Sequence, residues 1–274
     1  MYSQDSPKNS DLSDNPVADH FEVGHVTQRF GASIALEDVS LKIQSGERVA
    51  LVGPSGAGKT TLLRLLNGTL LPTSGEVFVG GKTLSDLSST ALRQIRSQIG
   101  FVHQDVSLVP NVRVSQNILS GKLGQRSFFS SVRAWFWPPK SDLLRAHEIL
   151  ERVGIPEKLF QRTDSLSGGQ QQRVGIARAL FQGPRSILAD EPVSSVDPAR
   201  ARDTVELLTD ICREENVTLV MSLHNLELAR EFFPRLVGIR NGKIAFDHSS
   251  QEVDESCFHR LFDLNDDEMM SDGA

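Results

Sequence analysis

The chain has 274 residues, of which 39% are hydrophobic and 23% charged, and carries a formal net charge of −6. That length buries a full core in one α/β domain, and the acidic balance leaves no basic footprint, so nucleic acid is not an expected partner. No run reaches the roughly 18 apolar residues of a membrane span, and residues 1–10 have neither a basic start nor an apolar core, so a soluble protein kept in the cytoplasm is expected.

In chain order, residues 1–20 are polar and read as a disordered tail. Apolar segments at 21–26, 39–43 and 77–79, spaced by glycine turns, read as an antiparallel flank. The run 48–52 reads as a buried strand, and the leucine-rich 61–66 as a helix packed on a sheet. Further apolar runs at 99–103, 186–190, 218–222 and 236–239 alternate with helical patterns, as a parallel sheet demands. Residues 114–165 lack strong strand signals. Within them, Leu143, Leu144, Ile149, Leu150 and Val153 suit an amphipathic helix over 141–153. The expectation is an α/β fold: one domain over 21–248 with a mostly parallel core sheet, an antiparallel β flank and an inserted helical subdomain at about 105–180. Residues 249–274 read as a helical and acidic tail. Cys212 and Cys257 lack metal-type spacing and read as reduced structural thiols.

Between the strand at 48–52 and its helix stands Gly53-Pro54-Ser55-Gly56-Ala57-Gly58-Lys59-Thr60, a full match to G-x-x-x-x-G-K-[ST]. Strand, glycine loop and helix together make a phosphate-binding P-loop. Gly53, Gly56 and Gly58 free the backbone to aim successive N–H groups at one anion, and the helix adds its positive dipole end. Lys59 is expected on the β/γ-phosphates of a nucleoside triphosphate and the Thr60 hydroxyl on Mg²⁺, with Thr61 in the same binding set. Ser186-Ile-Leu-Ala-Asp190-Glu191 sets two carboxylates at the carboxyl end of a buried strand, where α/β sheets bind ligands. Asp190 suits Mg²⁺ through water, and Glu191 suits a water attacking the γ-phosphate. In Leu166-Ser167-Gly168-Gly169-Gln170, Ser167 and Gln170 form a capping box for a helix running towards Phe181. The two glycines expose backbone N–H groups there, a second anion site.

These residues carry a resemblance. The run 166–173 resembles the signature motif of ATP-binding cassette (ABC) ATPases. Gln104 resembles the Q-loop glutamine, Ser194-Ser-Val-Asp197 the D-loop, and His224 the switch histidine, all in the family's order. The resemblance covers about 21–248. It implies that Gln104 contacts Mg²⁺, that His224 contacts the γ-phosphate, and that Phe30 stacks on adenine where tyrosine is common. It also implies a head-to-tail homodimer in which Ser167, Gly168, Gly169 and Gln170 complete the partner's ATP site. A small-molecule P-loop kinase has no need of the 166–173 run.

One cassette without a span or long heptad insertion resembles the ATPase subunits of bacterial importers, and segments 118–127, 188–197 and 220–224 look most like those of phosphonate importers. The resemblance then implies two integral membrane permease subunits, an extracytoplasmic solute-binding protein acting through them, and a peripheral place on the cytoplasmic face of the inner membrane. Phosphite, phosphate or another cargo on the same engine is the alternative, and a soluble non-transport cassette a more distant one. The aromatic stretch 127–139 reads as core of the helical subdomain, as a neighbour of the permease groove, or as a contact for lipid headgroups beside Arg126, Arg133 and Lys140.

Overall fold

Two sheets share a layer of leucines that the P-loop helix contributes. The computed structural model describes residues 19–105, 107–193 and 198–262. Strands β1 (Asp19–Phe30) and β2 (Ser33–Gln44) form a hairpin turning at Gly31, whose φ of 61° favours glycine. Strand β3 (Arg48–Val52) runs into the P-loop, and helix α1 (Lys59–Leu66) follows. Strands β4 (Ser74–Val79) and β5 (Lys82–Thr83) complete an antiparallel sheet of order β2-β1-β4-β5. This is the expected flank, with longer strands, because β1 and β2 pair from Asp19↔Gln44 to Phe30↔Ser33 through exposed polar positions.

Helix α2 (Ser89–Arg96) leads to β6 (Ile99–Val102). Helices α3 (Val114–Leu119), α4 (Phe128–Phe136), α5 (Lys140–Arg152) and α6 (Gly168–Phe181) then precede β7 (Ser186–Asp190). The helical expectation for this stretch holds, although Leu144 faces solvent on α5 rather than joining the core. Helix α7 (Pro198–Glu214), β8 (Thr218–Leu223), α8 (Leu226–Phe232), β9 (Arg235–Arg240), β10 (Lys243–Ser249) and α9 (Glu255–Phe262) close the described chain. Of the tail expected at 1–20, residues 19 and 20 instead begin β1, where pairing with β2 orders them, and 1–18 lie outside the described residues. Of the tail expected at 249–274, α9 is the described helical part and 263–274 lie outside, as do the D-loop residues 194–197.

The second sheet has the order β10-β9-β3-β8-β7-β6 and is parallel except for the β9–β10 hairpin. Its parallel strands bury both faces, so they read as continuous apolar runs. Val49, Leu51, Leu188 and Val220 point to α1 and the antiparallel sheet, where Leu62, Leu63, Leu65 and Leu66 meet them. Ala50, Val52, Ile187, Ala189, Leu219 and Met221 point to the opposite layer, built from α3 and α5–α8. Strand β10 had no counterpart in the sequence reading. Its signal is Asn241-Gly242, with φ of 49° and 75°, the pair that a two-residue hairpin turn favours. No helix among the described residues is long and apolar enough to cross a membrane.

Candidate nucleotide site

The carboxyl ends of β3, β8 and β7 lie side by side, and the site is built where they stop. Past β3 the chain takes φ of 152° at Gly53, 77° at Gly56 and 109° at Gly58 before α1 begins. A Cβ on Gly53 would sit 2.0 Å from Ile239 O, and one on Gly58 2.7 Å from Ala35 O, so neighbouring backbone holds the loop at both ends. The β9–β10 turn adds a third clamp. Gly242 N–H donates to Ala57 O at 3.0 Å, and Gly242 O accepts from Glu37 N at 2.9 Å. Ser55 and Gly56 face solvent, Pro54, Thr60 and Thr61 are half-buried, and Ala57, Gly58 and Lys59 are buried.

The Lys59 ammonium is the charged centre of the site. It donates to Gly53 O at 2.8 Å and Pro54 O at 2.9 Å, and lies 3.5 Å from Glu191 Oε1. Burial pulls its pKa below the ordinary lysine value, opposed by the Glu191 and Asp190 carboxylates. Thr60 Oγ1 donates to Asp190 Oδ1 at 3.0 Å. Glu191 adopts φ of 45°, uncommon for a side chain with a Cβ, and His224 Nε2 lies 2.6 Å from its Oε2. Lys59, Thr60, Asp190, Glu191 and His224, separated by up to 165 positions along the chain, thus meet at one point.

Strand register makes this meeting. Asp190 pairs with Ser222, and Val52 with Leu223, so His224 emerges just past the P-loop strand. Ser222, absent from the sequence reading, is the hub. Its fully buried hydroxyl donates to Asp190 Oδ1 at 2.9 Å and accepts from Glu191 N at 2.8 Å. The signal was a serine inside an otherwise apolar buried strand, since a buried hydroxyl needs partners.

Other expected residues stand further off. Gln104 is exposed just beyond β6, the edge strand beside β7, and its side chain bonds to none of this cluster among the described residues. Phe30 is 52% exposed at the end of β1, so it is a presented ring and not a core aromatic. Ser167 caps α6, with Ser167 N donating to Gln170 Oε1 at 3.1 Å and Gln170 N to Ser167 Oγ at 3.4 Å. With Gly169, these residues line a depression shared with Ile155, Arg200 and Thr204, to which residues 53–60 contribute nothing.

Among the described residues no group of three or more His, Cys, Asp and Glu side chains converges as a metal cage. Mg²⁺ needs no such cage, because it binds through one or two protein oxygens while keeping waters and substrate phosphates. Thr60 Oγ1 and Asp190 Oδ1, converging beside a P-loop, are oxygens of that kind.

A family model described as ABC transporter matches residues 36–194. The chain is 43% identical over 244 residues to "Phosphonates import ATP-binding protein PhnC" of Wolinella succinogenes, covering 88% of this chain and 87% of that one. It is 46% identical over 231 residues to "Phosphonates import ATP-binding protein PhnC 2" of Cupriavidus metallidurans, covering 84% and 82%. Among solved structures, the dimeric post-hydrolysis ATP-binding cassette MJ0796 with ADP and Pi matches at a TM-score of 0.72 and 30% identity, over 85% of this chain and all of that one. The ADP conformation of the cassette MJ1267 matches at 0.76 and 25% identity, over 90% of this chain and all of that one.

Proposed function

The chain belongs to the ATP-binding cassette transporter family, and from that premise we propose that it hydrolyses ATP to drive phosphonate import, with the residues converging at Lys59 as its catalytic centre. The observation that carries the catalytic reading is the Glu191 carboxylate held between Lys59 and His224 beside the P-loop. The phosphonate reading is supported by the names of relatives that match over more than four fifths of the chain.

Binding orients the triphosphate first. Backbone N–H groups of 53–60 and the Lys59 ammonium take the β/γ-phosphates, and the half-exposed Phe30 ring offers its face to the base. Thr60, Asp190 and Gln104 would hold Mg²⁺, which neutralises phosphate charge when bound. Glu191 accepts the proton of the attacking water, and His224, which holds that carboxylate through Nε2 here, is the γ-phosphate contact when ATP is bound. Little covalent work falls to the protein, so catalysis is positioning and charge stabilisation. Ser167–Gln170 complete the site of a second copy, a reading supported by the depression they line without residues 53–60 and by the dimeric cassette structure. Two permease subunits receive the pair at the cytoplasmic face of the inner membrane, below a phosphonate-loaded binding protein.

Reconstitution with permease and binding protein tests the cargo. Alkylphosphonate should stimulate ATP hydrolysis more than phosphate or phosphite, and stimulation should vanish in Glu191→Gln. Equal rates with and without phosphonate, beside clear stimulation by a sugar, metal or amino acid, would overturn the cargo and leave the ATPase standing.

A further inference from the structure

Both tryptophans of the chain, Trp135 and Trp137, lie in or beside one short helix that nucleotide chemistry does not use. Helix α4 starts at a Ser127 cap and fully buries one residue, Ala134. Trp135 closes over a small cleft with Leu119, Leu123 and Pro138. The remaining large side chains project outwards: Phe129 is 84% exposed, Phe128 and Trp137 75%, Phe136 66%, with Val132 beside them. Five exposed apolar side chains within ten residues form a ridge that burial within the chain does not explain.

Charge says what the ridge meets. Residues 127–141 carry Arg133 and Lys140 and no Asp or Glu, within a chain of net charge −6. Arg126, just before them, is already tied to Asp142, whereas neither Arg133 nor Lys140 has a carboxylate partner among the described residues. Phe and Trp rings flanked by free cations are the composition of a helix lying at a bilayer surface. Rings projecting this far offer no groove for a partner helix, whereas an acyl–headgroup boundary accommodates a ridge. We propose that α4 and the turn after it rest on anionic phospholipid, with the rings at the acyl boundary and Arg133 and Lys140 on lipid phosphates. This goes beyond the importer reading and is independent of cargo. One nine-residue helix holds weakly by itself, so it acts as a foot that raises the local concentration of the subunit near its permease.

The tryptophans supply the probe. The purified chain, without permease, is mixed with vesicles of phosphatidylglycerol and phosphatidylcholine in equal parts, or of phosphatidylcholine alone. With the anionic vesicles, fluorescence should shift to the blue, brominated acyl chains should quench it, and protein should sediment with lipid. Arg133→Gln with Lys140→Gln should weaken binding roughly 25-fold, about fivefold for each cation near the surface. Phe129→Ser with Phe136→Ser should abolish the shift and leave ATP binding unchanged, since both rings are outside the core. Absence of blue shift and co-sedimentation with anionic vesicles would overturn the proposal. Vesicle binding untouched by the Phe→Ser pair, with assembly onto detergent-solubilised permease lost, would assign the ridge to a protein partner instead.

Discussion

Ser222→Ala tests whether the strand β8 hydroxyl governs the site, because that hydroxyl is the only described link between the Asp190 carboxylate and the Glu191 backbone. Its removal takes away one bond to a carboxylate, worth roughly 1.5–3 kcal/mol, and one to a backbone N–H, worth about 1 kcal/mol. Asp190 keeps Thr60 as donor, so a net loss of about 3 kcal/mol is expected, lowering Tm by roughly 6–12 °C for a domain of this size. The functional effect comes from Glu191, whose φ of 45° is held from its N–H side by Ser222. Freed, the carboxylate drifts from its aligned position, and a displacement near 1 Å costs about 100-fold. Phosphate release by the purified transporter should therefore fall roughly 10- to 100-fold in kcat, while KM for ATP moves less than about twofold because Lys59 and the P-loop amides are untouched. The double-mutant cycle decides the cause. In a Glu191→Gln background, Ser222→Ala should change turnover no further. Full kcat with a lowered Tm would make Ser222 a structural residue, and an additive cycle would show that it does not act through Glu191.

Glu191→Gln keeps the shape and removes the proton acceptor, so ATP binding should persist while steady-state hydrolysis falls by orders of magnitude and ATP-bound dimer accumulates on size exclusion. Mixing Lys59→Ala chains with Ser167→Arg chains should restore nucleotide trapping above either homodimer, since one of the two shared sites is then intact; protection of Ser167 by nucleotide in strictly monomeric protein would contradict sharing. Gly53→Ala drives a methyl to 2.0 Å from Ile239 O and should cost about 3 kcal/mol or more in denaturant melts, whereas Gly56→Ala, with nothing within 4 Å, should cost only its backbone strain of about 1–2 kcal/mol. Burial pushes the Cys212 thiol up to about 12, so a maleimide at pH 8 should leave it unlabelled in the native protein and react fully in denaturant.

The P-loop, the Asp190-Glu191 pair and the capping box of α6 were legible because each is a local pattern: the residues that act are neighbours in sequence, and their spacing follows from strand, turn and helix geometry. The parallel strands were legible for a related reason, since burial on both faces leaves an apolar run. Three things escaped. Strand β10 is exposed along much of one face, so its apolar content is thin, and the Asn241-Gly242 turn was the only strong cue. Ser222 is one hydroxyl in a strand of leucine, valine and methionine, and its importance arises from pairing with Asp190 across 32 positions. Leu144 fits the helical period of α5 yet faces solvent, because periodicity fixes a face and not how wide a stripe the neighbouring helices cover.

In this structure the carboxylate that would take the proton from water is occupied. Glu191 shares the Lys59 ammonium through one oxygen and His224 through the other, and Lys59 further donates to two carbonyls of its own loop. On the proposed mechanism, a triphosphate in the P-loop would offer the same ammonium several negative oxygens where the carboxylate offers one charge, and so would draw Lys59 from Glu191. The second oxygen would stay fixed by His224 and the backbone N–H by Ser222. On that mechanism, binding by Lys59 and activation by Glu191 would be linked through that ion pair. Lys59→Ala should lose more than phosphate affinity: at saturating ATP its kcat should also fall, because no ammonium then stabilises the charge that develops on the transferring phosphoryl group. A Lys59→Ala chain whose only change is a raised KM, at full kcat, would show that the Lys59 charge serves binding alone.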